Sequence, residues 1–521
     1  EAATGQSAID EIIVTANKRE QSLQDTAMAI SALSGEAIEK RGLVGMSDYL
    51  STLPGVSMQD RGASQNTIVM RGIASNSQFA DSTVGVYFGE VPVTGLGSTS
   101  NGNSAGNVDI KMVDIDRVEV LRGPQGTLYG SGSMGGTVRV IPVAPDVEEI
   151  DGKVAARYSQ TGEEGGDNSM VQGVINIPLI KDELALRAVA YRFDNSGYID
   201  NVAASQPALL AGAISAGGVA NDQDESGSDE YTGFRLTALW LPNDHLDITL
   251  GHTRQEIEQT GYPEVNLDLA GDFQQIRLGV GAAGADREGL GNEIDITNLV
   301  IGYDLGWGKL VSSTAWTTYD SFSNVDLSFA FGIPATSAGE AASEVFVEEL
   351  RFISQFDGPT QLIAGVYYED NDRDQNTINS TSDLAAVTPT TLFTIDAASD
   401  TEQKAFFSEL TYSFTEQLAA TVGGRYFEYE QNDSSMIPAF GINTVTDNRD
   451  SGQTYKANLT YNHSNNSLLY GQWSEGFRLG GAQVPGAESP FCDANGNGLV
   501  EFSDGVERTP PSNVAADTLE S

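Results

Sequence analysis

The sequence predicts a transmembrane antiparallel β-barrel preceded by a small α/β domain, and three observations lead there. From Gly152 onward, segments of roughly ten residues alternate apolar and polar positions, the period of a strand with two unlike faces. Very short turns and long polar loops join these segments by turns, so the loop lengths are lopsided from one end of the strands to the other. No run of about eighteen apolar residues occurs anywhere, so helices are not what would cross a bilayer.

The first 148 residues carry mixed signals. "LSGEAIEKRG" and "MSDYLSTLPGV" have short helical character, with Ser or Asp near their starts and Gly or Pro at their ends. Around them lie "TIVMRGI", "VGVYFGEVPV", "RVEVLRG" and "TVRVIP", rich in β-branched residues and read as strands. Gly130, Gly132 and Gly135 spell a G-x-G-x-x-G after the third of these. In a dinucleotide-binding unit such glycines open a helix, whose first N–H groups hold the pyrophosphate. Here Thr137-Val138-Arg139-Val140-Ile141-Pro142 follows, an alternating strand with a proline stop, so the loop needs its glycines for another reason.

In the second part, "FRLTALWLPNDHLDITL" is a representative hairpin. Phe234, Leu236, Ala238 and Trp240 share one face, with Arg235 and Thr237 on the other. After the Pro242-Asn243-Asp244 turn, Leu246, Ile248 and Leu250 oppose Asp247 and Thr249. Leu418, Ala420, Val422 and Tyr426 stand against Thr421 and Arg425 in the same way. Apolar faces outward and polar faces inward reverse the arrangement of a soluble barrel and suit one set in lipid. The long loops are expected at 195–229, 257–292, 321–343, 371–401, 431–451 and 478–521. "LIKDE", "PND", "LGWGK", "FDGPT", "FTEQ" and "HSNN" supply the short turns. Trp240, Trp307, Trp316 and Trp473 fall near strand ends, where interfacial girdles form.

Charge narrows the function. With 28 Lys+Arg against 73 Asp+Glu the net charge is −45, which argues against a nucleic-acid partner. Cys492 is the single cysteine, so neither an internal disulfide nor a cysteine-based zinc cluster is available. His245, His252 and His463 form no ligand motif, and no Ser/His/Asp or Cys/His arrangement suggests an enzyme. "CDANGNGLVEFSD" does carry a pattern. Asp493, Asn495, Asn497, the Leu499 carbonyl, Glu501 and Asp504 occupy positions 1, 3, 5, 7, 9 and 12 of a calcium loop, with Gly498 at its tight turn. These are the hard oxygen ligands that Ca²⁺ takes, and Ca²⁺ is the one cofactor the sequence suggests.

The ordered set "EIIVTA", "LSTLPGVSM", "VMRGI", "VYFGEVPV" and "VEVLRGPQGTLYGSGSMGGTVRVIP", ahead of a barrel, resembles the TonB-dependent outer-membrane receptors and transporters of Gram-negative bacteria. The resemblance divides the chain into an N-terminal segment 1–16, a plug domain 17–148 inside the lumen, and barrel strands over 149–521. It implies that Glu11, Ile12, Ile13, Val14, Thr15 and Ala16 form the TonB box, which pairs with a strand of TonB by β-augmentation. Plug arginines Arg71 and Arg122 would lock onto the inward carboxylates Glu349 and Glu409. Residues 75–81 and 96–107 would form the plug apex that meets the solute.

The function so implied is active import of a scarce solute across the outer membrane. TonB with its inner-membrane energising complex, outer-membrane lipid including lipopolysaccharide, a small solute or oligomeric nutrient, and a surface lipoprotein would be the partners. A signal-transducing receptor and a structural or passive surface barrel are the alternatives. The resemblance implies 22 strands, whereas about thirteen can be counted between Gly152 and Phe477, so further strands are expected beyond this sequence.

Overall fold

A computed structural model describes residues 12–520 except 61, 63–65, 75–81, 95–96, 99–104, 163–164, 209–210, 216–218, 221, 266–272, 280–287, 329–333, 383–388, 465–466, 483–499, 502–506, 509–512 and 515–516. The N-terminal domain opens with a two-rung antiparallel ladder of β1 (Ile13–Val14) and β2 (Gln21–Ser22). β3 (Ile30–Ser34) runs into helix α1 (Gly35–Arg41). The Ser34 side chain caps α1 by accepting from Ala37 N, and Gly42 ends it in the left-handed conformation at φ 69°. Helix α2 (Met46–Leu50) buries Met46, Tyr49 and Leu50 on one face.

β4 (Val56–Asp60) and β5 (Asn66–Met70) form a separate hairpin. β6 (Val84–Phe88), β7 (Val91–Pro92), β8 (Ile115–Arg122) and β9 (Gly136–Pro142) complete the main sheet, in the order β3-β8-β9-β6-β7. Its centre reads as nearly continuous Val and Leu because both faces are covered. The β6–β9 pair is parallel, and the other pairs are antiparallel.

The glycine loop lies between a four-residue helix, α3 (Gly126–Tyr129), and β9. The helix precedes the glycines and does not follow them. Gly130 and Gly132 adopt φ of 72° and 75°. A Cβ at Gly130 would stand 3.0 Å from the Arg425 guanidinium, and one at Gly132 would stand 3.1 Å from the Ser82 carbonyl. The glycines therefore serve close packing against the wall and within the plug.

Among the described residues, thirteen consecutive strands build the wall, each antiparallel to the next. They are β10 (Asp151–Gln160), β11 (Asp167–Ile180), β12 (Leu184–Asn195), β13 (Ser228–Asn243), β14 (Leu246–Thr260), β15 (Gly289–Asp304), β16 (Gly308–Asp326), β17 (Ala335–Ser354), β18 (Thr360–Ser382), β19 (Pro389–Ser413), β20 (Leu418–Ile437), β21 (Ile442–Ser464) and β22 (Ser467–Arg478). A short β23 (Asp517–Glu520) pairs with β22. The expected short turns at "LIKDE", "PND", "LGWGK", "FDGPT" and "FTEQ" fall where the sequence places them, and that at "HSNN" lies partly outside the described residues. Several expected long loops do not. Most of 371–401 and 431–451 continues as strand, because the polar Asn, Asp, Ser and Thr residues there still pair rung by rung across the hairpin.

Two aromatic levels mark the lipid-facing band. Trp240, Tyr303, Trp307 and Tyr412 are exposed near the short turns, and Trp316, Phe406, Tyr426 and Tyr455 lie higher. Outward positions between the levels are mostly apolar, among them Leu250, Leu310, Leu350, Val366, Leu410, Val422 and Leu459. Glu348 breaks this rule. It sits between Phe346 and Leu350 on the outer face of β17, and its carboxylate accepts from the Ser312 and Thr314 hydroxyls of β16.

The inner face is less uniformly polar than alternation alone suggests. Ile294, Ile296, Ala315, Tyr319, Val345 and Val347 point into the lumen and share one hydrophobic cluster with plug residues Ile38, Val84, Val118 and Val138. An apolar plug needs apolar wall positions opposite it.

Candidate functional site

The N-terminal segment is docked against the plug sheet. Val14 and Ala16 are each 1% exposed. Leu23 N donates to Ile12 O at 2.8 Å, and Ile13 pairs with Ser22. Thr15 is held most closely. Its N–H donates to Glu119 Oε1 at 2.8 Å, while its hydroxyl accepts from Arg139 at 2.7 Å and Arg117 at 3.1 Å. The Tyr129 hydroxyl donates to Ala16 O at 2.7 Å. Glu11 lies outside the described residues.

The anchor of this docking is a buried charge chain that runs from the plug to the wall. Glu119 and Arg139 face each other across the β8–β9 register and pair at 2.8 Å. Arg139 also donates to Glu90 Oε1 at 3.2 Å. Glu90 in turn accepts from Arg351 of β17 at 2.8 Å, and Arg351 donates to Glu349 on the same strand at 2.7 Å. Lys18, just past the docked segment, completes the ring with its ammonium 3.4 Å from both Glu90 and Glu349. It also lies over the Tyr87 and Tyr129 rings. Burial alone would raise the Glu90 pKa, but Arg351, Lys18 and Arg139 together hold it below the usual carboxylate range. Glu90 therefore stays ionised, as a charge-assisted network requires.

This arrangement corrects the expected lock. Glu349 and Glu409 do face inward and are buried, at 8% and 5% exposure. Among the described residues, however, neither pairs with Arg71 or Arg122. Glu349 takes Arg351 and Lys18, and Glu409 of β19 reaches across β20 to Lys456 of β21 at 2.9 Å. Arg71 is exposed, with its guanidinium beside Gly123, and Arg122 donates to the Pro54 carbonyl. The carboxylates are satisfied by cations nearer in space.

A second plug–wall contact lies on β12 and β13. Arg187 donates to both Asp114 oxygens, at 2.7 and 2.6 Å, and Arg235 donates to the Asp114 carbonyl at 2.8 Å. Of the expected calcium ligands, Asp493, Asn495, Asn497, Leu499 and Asp504 lie outside the described residues. Glu501 lies in a two-residue strand paired with Glu507–Arg508. The apex residues 75–81, and most of 96–107, are likewise outside the described set.

Lys18, Glu90, Arg351, Asp114 and Arg187 escaped the sequence reading, and Arg235 was legible only as an inward polar position. Arg139 left a signal as the one charge of the apolar strand β9, and Glu119 left a weaker one, set among Val118, Val120 and Leu121 in a strand that also carries Asp116, Arg117 and Arg122.

A profile of the TonB-dependent receptor plug domain matches residues 22–137, and one of the TonB-dependent receptor-like β-barrel matches residues 240–501. The pesticin receptor of Yersinia pestis is 29% identical over 163 residues, 30% of this chain and 23% of that protein. The vitamin B12 transporter BtuB of Vibrio vulnificus is 30% identical over 142 residues, 27% of this chain and 22% of that protein. These alignments span about a quarter of the length of the relatives. The crystal structure of the ferric yersiniabactin uptake receptor FyuA from Yersinia pestis superposes with a TM-score of 0.72 at 17% identity, covering 88% of this chain and 66% of that one. The ferric citrate transporter FecA, unliganded, gives 0.69 at 15% identity, over 87% and 63%. Plug, wall and profiles agree: the chain belongs to the TonB-dependent receptor family of the bacterial outer membrane.

Proposed function

We propose that the chain takes part in active import of a scarce solute, with residues 11–16 as the segment that TonB grips. One observation carries this reading: Thr15 is tied to Glu119 and Arg139, and that pair is wired through Glu90 to Arg351 and Glu349 on the wall. A pull on the segment therefore acts first on the contacts that hold the plug to the barrel. Val14 and Thr15 offer an extended backbone suited to β-augmentation once they leave the ladder with β2. The same reading keeps lipopolysaccharide and a surface lipoprotein as partners and Ca²⁺ as the ligand of the 493–504 loop, the last on ligand spacing alone.

The test is capture of TonB's C-terminal domain by the full-length receptor in detergent, compared with Val14→Pro. Proline removes a backbone donor and an edge pairing, so capture is expected to be lost. Accumulation of solutes from spent medium by cells expressing the receptor should fall in the same variant. Undiminished capture by Val14→Pro would sink the assignment of the segment.

A further inference from the structure

A groove crosses the outer face of the wall on the long-loop side of the lipid-facing band. It encloses about 840 Å³ and spans eight neighbouring strands, β14–β21. Two successive outward rungs of the sheet form its rims. Glu256, Glu293, Asp320, Ala342, Asp374 and Ala398 stand opposite one another in turn along the lower rim. Phe322, Glu340, Asn376, Asp396 and Met436 do so along the upper rim. Ser321, Ala341 and Ala397 lie between the rims, supply backbone to the floor and by alternation turn their side chains inward. Asp320 lies four residues beyond Trp316 on β16, about 14 Å along the strand from the upper aromatic level at about 3.4 Å per residue.

Charge is the first feature that sets this face apart. Seven of the lining residues are carboxylates, and no Lys, Arg or His is among them. Glu293 pairs with Arg254 below the groove, and Asp396 accepts from Asn376. Glu256, Glu258, Asp320, Glu340 and Asp374 form no ion pair among the described residues. Glu256, Glu293 and Asp320 oppose one another directly across neighbouring strands, an arrangement that costs stability. Local rules broken in this way mark surfaces that have a task.

The second feature is an aromatic platform. Phe322 is 54% exposed, and a Cβ at Gly291 would stand 2.1 Å from its ring. The ring therefore lies over the bare backbone of Gly291, which seats it against the sheet. An open ring of this kind stacks on the C–H face of a sugar. Carboxylates and amides along both rims accept hydrogen bonds from sugar hydroxyls, and bonds to an ionised acceptor are the stronger sort. With no cation in the lining, phosphate or sulfate finds no direct partner, so the groove suits an uncharged stretch of sugars. Eight strands at a spacing of about 4.8 Å make it about 34 Å long, the reach of a chain and not of a single ring.

We propose that this groove docks the saccharide portion of an outer-leaflet glycolipid, with Phe322 as the stacking platform and Asp320, Glu340 and Asp374 as hydroxyl acceptors. The groove is continuous with the lipid-facing band and turned away from the lumen. The head group of a lipid packed on that band rises past it, whereas an imported solute does not meet it. The inference goes beyond the import reading, which names lipopolysaccharide only as a partner, and stands if import fails.

The test titrates the full-length receptor in detergent with the lipid-free saccharide released by mild acid from the outer-leaflet glycolipid of the strain that makes it. Calorimetry reads the affinity. Phe322→Ala, and Asp320→Asn combined with Asp374→Asn, are each expected to weaken binding about tenfold. Gly291→Ala, which lifts the ring while leaving it present, should weaken binding too, and Phe322→Trp should retain it. Tyr158→Ala removes another exposed outer-face ring, on β10, and should change nothing. Unchanged heat-modifiable gel mobility shows that each variant is folded. Mass spectrometry of the receptor extracted from its membrane should find glycolipid retained by the wild type and lost in Phe322→Ala. The proposal is overturned if the saccharide does not bind the wild type, or binds Phe322→Ala and the double Asn variant equally well. Binding of a decalysine peptide in place of the saccharide overturns it as well, since the face would then be a polycation surface. Equal retention of glycolipid by wild type and Phe322→Ala overturns the choice of source and leaves a free polysaccharide as the occupant.

Discussion

Replacing Lys18 with methionine should free the N-terminal segment while leaving the barrel intact. Methionine keeps the apolar stem against Tyr87 and Tyr129 but removes the charge between Glu90 and Glu349. At the 3.4 Å separations observed, each pair has a gross attraction of about 5 kcal/mol at an effective dielectric of about 20. Much of that is offset by desolvating the ammonium, which is 1% exposed. Breaking a buried pair typically costs about 3–5 kcal/mol, and the low end applies because Glu90 keeps Arg351 and Arg139, and Glu349 keeps Arg351. About 3 kcal/mol corresponds to a rise of about 150-fold in the population of the undocked segment.

Hydrogen exchange of backbone amides in residues 12–20 of the full-length receptor reads this directly, since local opening sets their rate. Lys40→Met is the control. Its pair with Glu36 is exposed at 72% and 66%, so no change is expected. The reasoning is refuted if Lys18→Met leaves exchange in that segment unchanged. It is refuted equally if exchange rises by the same factor throughout the plug, because Lys18 would then support the fold and not the docking.

Glu348→Leu should stabilise the barrel by about 1 kcal/mol, because a lipid-facing carboxylate between the two aromatic levels gives way to an apolar side chain. A higher urea midpoint for unfolding from vesicles would confirm it, and a lower one would show that the Ser312–Thr314–Glu348 contacts outweigh the cost of the charge. Gly132→Ala forces a side chain to φ 75° and against the Ser82 carbonyl, which costs about 1–2 kcal/mol and should lower the calorimetric transition of the plug. In the outer loops, burial raises the Glu288 pKa to about 7 despite Arg277 nearby. A raised folded-state value means that this contribution is fully present below the unfolded value of about 4.3 and is lost as pH rises through about 7. Exchange in the Glu288 loop, read at Asp326 N, should therefore lose protection between about pH 4 and pH 7 after correction for intrinsic rates and level off above that, and Glu288→Gln should abolish that dependence.

The strand pattern was legible because a lipid-facing wall repeats one simple rule, and Phe234, Leu236 and Trp240 obey it. The rule failed where its premise changed. Val345 and Val347 face inward because an apolar plug lies opposite, a fact that no local periodicity contains. The upper hairpins around 371–401 read as loops because strand propensity is weak in Asp, Asn and Ser, whereas pairing with a neighbour decides the outcome. Inward placement of Glu349 and Glu409 follows from alternation. Their partners do not, since Lys18 lies 331 positions from Glu349 and Lys456 lies 47 from Glu409. Arg139 could be suspected of needing a partner, being the single charge in β9, and Glu119 offers one from among Val118, Val120 and Leu121 of the adjacent β8.

The wall's own ion pairs carry a last consequence. Glu349 with Arg351, and Glu409 with Lys456, are each complete within the barrel. If the plug withdraws, taking Glu90 and Lys18 with it, the surface left behind holds no stranded charge on these strands. At these two pairs, plug withdrawal exposes no new unpaired charge. On the import reading, a solute passing them would meet balanced dipoles in place of bare ions, and weak transient contacts of this sort allow passage without retention.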